Sequence, residues 1–245
     1  MRTVVEAASL ILLSRQTALQ QQIDVLANNI ANVNTSGYKG QSVLFETYVT
    51  RPVSGEQMNF VVDRTTLRDT STGATTVTGN DLDIALQGNG YFGVQTPQGV
   101  QYTRAGAFSL SNSGDIVTQD GYPVLSLEGQ PLNIPAEAKT VEIDLTGRIL
   151  TDKGEVGKLQ VKVFKHEQQM IETGRGLYQT KESGEPAPDT RVVQRALEQS
   201  NVKPVLEMTR VSEVVRAYQQ TVSMMQNENE RMRTAIRTLG RVSYS

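Results

Sequence analysis

The chain has 245 residues, a formal net charge of −2, 38% hydrophobic and 5% aromatic residues, no Trp and no Cys. That length buries a sizeable core for one or two domains, but so few aromatic residues make the core thin and leave apolar surface for partners. The absence of Cys excludes disulfides and thiolate metal sites, and the lack of any Lys/Arg block argues against nucleic-acid binding.

Residues 1–36 read as one long helix. Apolar residues recur at alternating three- and four-residue steps through Val5, Leu12, Leu19, Ile23, Leu26, Ile30 and Val33, broken only by Ser9 and Gln16. So narrow a stripe is the heptad signature of helices that pack on other helices. Arg2 followed by the run Ala7 to Leu13 imitates a secretory leader, but Glu6 interrupts its charged region and no small-x-small cleavage site follows. The segment therefore reads as a retained helix, exported, if at all, without a cleaved signal peptide. No window reaches the roughly 18 apolar residues that cross a bilayer, which predicts no membrane insertion.

Where this helix ends, Asn28, Asn29, Asn32 and Asn34 crowd together. One reading is a helix terminus closed by Asn34 or Gly37 in the left-handed conformation. Another places Asn28, Asn29 and Asn32 beside the apolar seam, where their amides hydrogen-bond to neighbouring helices.

The middle of the chain is different in kind. Of the 20 Gly, only Gly37 and Gly240 fall outside Gly40 to Gly184, and all eight Pro lie between Pro52 and Pro204. Turn formers every few residues predict short strands. Residues 37–78 read as an extended β and loop connector, in which Met58, Phe60 and Val62 alternate and a run of Thr from Thr65 to Thr78 suits exposed β structure. Residues 79–184 read as a β-rich domain, with alternation at Leu82, Ile84 and Leu86 and at Leu159, Val161 and Val163, and turns at Thr96 to Gly99 and Ser111 to Gly114. Residues 185–204, opening with Glu185-Pro186-Ala187-Pro188, read as a return linker.

Three motifs in this region imitate chemistry. Gly88-Asn89-Gly90-Tyr91-Phe92-Gly93 satisfies G-x-G-x-x-G, but Tyr91, Phe92 and Val94 favour a strand where a nucleotide fingerprint needs a helix, so a tight turn between strands is expected. Asp81 and Asp83 share one face of a strand whose other face is apolar, which predicts a wet pair of carboxylates. His166 stands in a polar stretch with no second His and no Cys, so neither a metal site nor a nucleophilic dyad or triad is supported. No catalytic residue and no cofactor is expected.

Residues 205–245 form a second long helix with the stripe Met208, Val211, Val215, Tyr218, Val222, Met225, Asn229, Met232, Ile236 and Leu239. A polar residue such as Asn229 in a seam either sets register or lies exposed near the helix end. Arg231, Arg233, Arg237 and Arg241 suit the C-terminal dipole, and acidic surfaces of adjoining subunits are a second destination for them. The fold class expected is α+β: long N- and C-terminal helices packed as a coiled coil, with a β-rich domain inserted between them. At roughly 1.5 to 3 kcal/mol per buried large side chain, the two stripes favour assembly with neighbours. A soluble enzyme with a helical oligomerisation arm is the remote alternative.

Three stretches also carry a family resemblance. Ala27-Asn28-Asn29-Ile30-Ala31-Asn32-Val33-Asn34-Thr35-Ser36-Gly37-Tyr38-Lys39 resembles the N-terminal signature of bacterial flagellar rod, hook and hook-associated proteins. Thr78 to Phe92, continuing through Tyr102-Thr103-Arg104 and Gly121 to Leu125, is similar to the central domain of the rod and hook subunits, and Leu197-Glu198-Gln199-Ser200-Asn201-Val202 to their C-terminal signature. Within the family, Leu13 to Leu19 and Phe60 to Thr70 look most like the proximal-rod members, with distal-rod and hook-type subunits as the alternative.

The resemblance implies a structural subunit of the basal-body rod. Paired terminal helices would form an inner tube, with the β domain outside, and the whole would transmit torque. It further implies contacts with other rod subunits and with copies of itself, passage through the flagellar type III export apparatus, and a place in the rod spanning the periplasm. Residues assigned to the assembly interface are Leu12, Leu19, Ile23, Leu26, Asn28, Asn29, Ile30, Asn32 and Val33, and every position of the C-terminal stripe from Met208 to Leu239.

Overall fold

A computed structural model describes residues 2–50 and 58–242. The chain divides into two compact units. One comprises Met1–Ala31, Gln41–Arg68 and Lys203–Ser245, and the other Asn32–Gly40 and Asp69–Val202.

The first unit is built from α1 (Arg2–Ala31), α2 (Pro204–Val242) and a ribbon of two antiparallel strands, β1 (Gln41–Thr50) and β2 (Met58–Arg68). Pro204 starts α2 at the one position where a missing N–H costs nothing, and Glu207 in its first turn complements the helix dipole. Neither Gly nor Pro interrupts α1. The ribbon runs in register from Gln41 opposite Arg68 to Thr50 opposite Met58, with a bulge between Leu44 and Phe45. Both ribbon strands lie against α1, which also packs along α2.

The two helices are long and terminal, and the class is α+β, but no coiled coil forms among the described residues. The most buried positions of α2 are Glu207, Val214 and Thr221, each one residue before the expected Met208, Val215 and Val222. On α1 they are Ala18, Leu26 and Asn29. A coiled coil needs an unbroken a/d seam of interlocked apolar knobs. Here Glu207 and Thr221 put polar groups into the buried face of α2, and α1 divides its apolar face between α2 and the ribbon. Helix α1 also stops at Ala31, so Val33 lies beyond the helix that was expected to carry it.

The second unit is a β structure with two cores. Its main sheet has six strands in the spatial order Ile171–Gly174, Leu177–Gln179, Gly99–Thr103, Tyr91–Thr96, Val161–Val163 and Glu185–Pro186. Strand Tyr91–Thr96 sits between the cores. Alternation sends Phe92 and Val94 to a large cluster with Ile84, Leu86, Phe108, Ile116, Val124, Ile149, Leu159 and Val192, and sends Tyr91 to a second cluster with Tyr102, Phe164, Met170 and Tyr178. Edge-on aromatic pairs hold both clusters, Phe92 with Phe108 at 5.2 Å and Tyr102 with Phe164 at 4.7 Å between ring centroids.

The segment 185–204, read as a linker, instead carries strands Arg191–Gln194 and Ala196–Glu198, which pair with Ile84–Gln87 and Thr75–Val77. Pro186 and Pro188 obscured this, although Val192 and Ala196 are buried. Strand Ile84–Gln87 is covered on both faces, since Ile84, Ala85 and Leu86 are all at most 1% exposed.

Candidate assembly surface

The helix pair is antiparallel and is fixed by two polar contacts. Gln16 Nε2 donates to Tyr218 Oη at 3.0 Å, which explains the polar break in the α1 stripe. Asn29 Nδ2 donates to Glu207 Oε2 at 3.1 Å and to the Gln41 carbonyl at 2.8 Å, while its Oδ1 accepts from the Gln41 amide at 2.9 Å. One buried amide thus ties α1 to both α2 and β1. The other Glu207 oxygen accepts from Arg210 at 2.8 Å.

The expected interface residues fall into distinct environments. Leu26 and Asn29 are buried within the chain. Leu12, Leu19, Ile23 and Ile30 on α1 are half-buried, as are Val211, Val215, Tyr218, Val222, Met225 and Met232 on α2. Asn28, Met208 and Asn229 are exposed. Asn32 and the half-buried Val33 belong to the turn after α1, where the Thr35 amide donates to the Asn32 carbonyl at 3.1 Å. The side chains of Ile236 and Leu239 lie outside the described residues.

Apolar side chains left uncovered on the helices include Leu10 and Leu13 on α1 and Val205, Leu206, Met208 and Met224 on α2. A groove of about 350 Å³ runs along the pair, lined by Leu13, Gln16, Thr17, Gln20, Gln21, Asp24 and Tyr218. It is a shallow surface of mixed polar and apolar side chains.

The β unit holds a charged centre to which sequence reasoning assigned no role. Glu198 is 1% exposed, and its Oε1 accepts from Lys39 Nζ at 2.6 Å and from the Gly73 amide at 3.0 Å. Its Oε2 accepts from Arg104 Nε at 2.5 Å. Lys39 also donates to the Ser71 carbonyl at 2.7 Å. The rest of the Arg104 fork caps the Gly90, Leu86 and Gly88 carbonyls at 2.6, 2.9 and 2.7 Å, so the glycine motif is a turn clamped by an arginine and not a phosphate cradle. Burial opposes ionisation of Glu198, but Arg104, Lys39 and the Gly73 amide outweigh it and hold the carboxyl below its usual range. Lys39 is pushed below the ordinary lysine range chiefly by burial, with the like-charged Arg104 adding to the effect against the pull of Glu198.

Backbone fit around this centre is tight. Gly37 has φ +68° and donates its amide to the Glu198 carbonyl at 2.9 Å, and a Cβ there would collide with the Arg104 carbonyl. A Cβ on Gly73 would collide with the Gln199 carbonyl oxygen. The available signal was that Lys39, Arg104 and Glu198 are each the only charged residue in the stretches 27–39, 102–104 and 197–202.

The remaining chemical candidates stay apart. Asp83 is buried and accepts from Asn80 Nδ2 at 3.0 Å, against the expectation of a wet face, its backbone being flanked by Ala107 and by Ala196, whose amide donates to the Asp83 carbonyl at 3.2 Å. Asp81 pairs with Arg195 at 2.6 Å in solvent. His166 is exposed beside Glu182. Among the described residues no group of three or more His, Asp or Glu could hold a metal ion, and no helix is long and apolar enough to cross a membrane.

Paired terminal helices with uncovered apolar faces, joined to a β unit locked by buried charge, define a structural assembly subunit. Residues 10–39 match the family described as "Flagella basal body rod protein", residues 85–151 the "Flagellar hook protein FlgE/F/G D1 domain", and residues 193–238 the "Flagellar basal body rod FlgEFG protein C-terminal". The flagellar basal-body rod protein FlgF of Caulobacter vibrioides is 35% identical over 94% of this chain and 97% of its own length. FlgF of Mesorhizobium japonicum is 32% identical over 93% and 95%. The rod protein FlgG of Agrobacterium fabrum is 32% identical over 87% and 92%. The chain belongs to the flagellar basal-body rod protein family and is a structural subunit of that rod. Lys39, Arg104 and Glu198 come one from each of the three matched regions, so the buried charge centre joins the segments that define the family.

Proposed function

We propose that the subunit occupies the proximal part of the rod and polymerises with copies of itself and with other rod subunits through its terminal helices. The rod so formed acts as a drive shaft, and the close packing of many helices supplies its stiffness. The subunit acts mechanically and not as an enzyme. It reaches the periplasmic rod through the flagellar type III export apparatus without removal of a signal peptide. The observation that carries this reading is the set of exposed apolar side chains on both helices, Leu10, Leu13, Val205, Leu206 and Met208, which repay burial only against neighbours. Alignment with two FlgF proteins over nearly the whole chain supports the proximal position.

The similarity to FlgG keeps a distal-rod position as the second reading. Deleting the gene and purifying basal bodies separates the two. Rods that stop before any distal subunit is added support the proximal position, whereas rods that keep the distal subunits' predecessors and lack only the outer segment overturn it. Leu13→Asp with Met208→Asp should leave the soluble fold intact and remove the chain from purified basal bodies. Undiminished incorporation would refute assembly through these faces.

A further inference from the structure

Asn89-Gly90 is the only Asn-Gly step in the chain, and it sits on the turn between strands Ile84–Gln87 and Tyr91–Thr96. The Asn89 side chain is exposed, whereas Gly90 is buried. Among the described residues the Gly90 amide donates to no acceptor, although a buried N–H is nearly always paired. Glycine also has no side chain to shield that nitrogen from the residue before it. Gly88, Asn89 and Gly90 line a cavity of about 10 Å³, which has room for about one water. The Gly88 and Gly90 carbonyls are both gripped by Arg104. Among the described residues the peptide plane between Asn89 and Gly90 is tethered only through its own carbonyl, by a solvent-exposed bond from the Thr190 hydroxyl. An amide nitrogen with no acceptor, a neighbour without a side chain and an exposed carboxamide are the components of an intramolecular ring closure.

We infer that Asn89 is a site of spontaneous covalent modification in the folded chain, deamidating to a mixture of aspartate and isoaspartate. The Gly90 nitrogen gives its proton to water or hydroxide and attacks the side-chain carbonyl carbon of Asn89. A nitrogen–carbon bond forms, the bond from that carbon to the side-chain NH2 breaks, and ammonia leaves with the proton returned to it. The product is a five-membered succinimide, and water then opens it. Attack at the side-chain carbonyl gives aspartate. Attack at the backbone carbonyl gives isoaspartate, in which the main chain runs through the former side chain and is longer by one methylene. Water is the only co-reactant, and no partner subunit is needed. The longer backbone falls between Gly88 and Gly90, whose carbonyls Arg104 reaches together at 2.7 and 2.6 Å. Arg104 cannot keep both after the insertion, so isoaspartate at residue 89 opens the clamp and loosens the arginine that Glu198 accepts from.

Purified full-length chain, kept folded at physiological temperature and mildly alkaline pH, is sampled over weeks by peptide mapping. The expected result is a one-dalton mass gain at residue 89, with the isoaspartate fraction confirmed by methyl transfer from an isoaspartyl methyltransferase. Asn112 is the internal comparator, an exposed turn asparagine followed by Ser113. Conversion at Asn89 should be at least about tenfold faster, a barrier lower by about 1.4 kcal/mol. Hydrogen exchange of the Gly73 amide, which donates to Glu198, should lose protection in proportion to the isoaspartate formed. Asn89→Gln, whose longer side chain closes a ring far less readily, should keep both its mass and its Gly73 protection through the same incubation. No mass gain at residue 89, or conversion no faster than at Asn112, overturns the site. Isoaspartate that accumulates while Gly73 keeps its protection overturns the opening of the clamp.

Discussion

Glu198→Gln tests the claim that buried charge locks the β unit. The substitution keeps the shape of the side chain but removes the carboxylate that Lys39 and Arg104 share, and these two are 3% and 5% exposed. An amide placed there also aims an N–H at one of two donors, so a hydrogen bond is lost as well as the charge. Breaking a buried pair by removing one partner costs about 3–5 kcal/mol, because the remaining charges stay desolvated. Against a total of roughly 5–15 kcal/mol for a domain, that is a large share. Hydrogen exchange of the amides of Gly37, Gly73 and Gln199 reads the effect locally, since the first two donate to Glu198 and the third to the Ala74 carbonyl beside it. Their protection should fall about a hundredfold or more, given tenfold per 1.4 kcal/mol. Protection within about threefold of the parent chain would refute the argument that the centre stabilises this fold.

The same residue sets a pH dependence. Because the folded carboxyl lies below its unfolded value, its contribution is complete above the unfolded range near pH 4.5 and is lost as pH falls through the folded value. The parent chain should therefore lose stability in urea titrations below pH 4.5 more steeply than Glu198→Gln, and parallel slopes would contradict this. Arg104→Lys keeps the charge but cannot reach Glu198 and three carbonyls together, so the melting temperature of the β unit should drop by several degrees. Gly37→Ala places a Cβ into the Arg104 backbone at a left-handed position and should cost more than about 2 kcal/mol by urea denaturation. Asn29→Ala leaves the Gln41 backbone and Glu207 without their shared partner and should destabilise the helical unit by about 1–3 kcal/mol, read as loss of the helical circular-dichroism signal in urea.

The two terminal helices and the strand-rich middle were legible before any folding, because both are written in local periodicity and in where Gly and Pro fall. The turn at Gly88 to Gly90 was equally legible, since Tyr91, Phe92 and Val94 follow it and favour a strand. Which face of each helix is buried came only from packing. On α2 the side chains that packing within the chain covers most are Glu207, Val214 and Thr221, while Met208 remains outside. Periodicity says that a helix has an apolar face but not which neighbours divide it. The buried centre of Lys39, Arg104 and Glu198 was likewise invisible, since residues 159 and 94 positions apart in sequence meet only in the folded chain. Charged residues look solvated in a sequence, and only the packed chain shows that these three have exchanged water for one another.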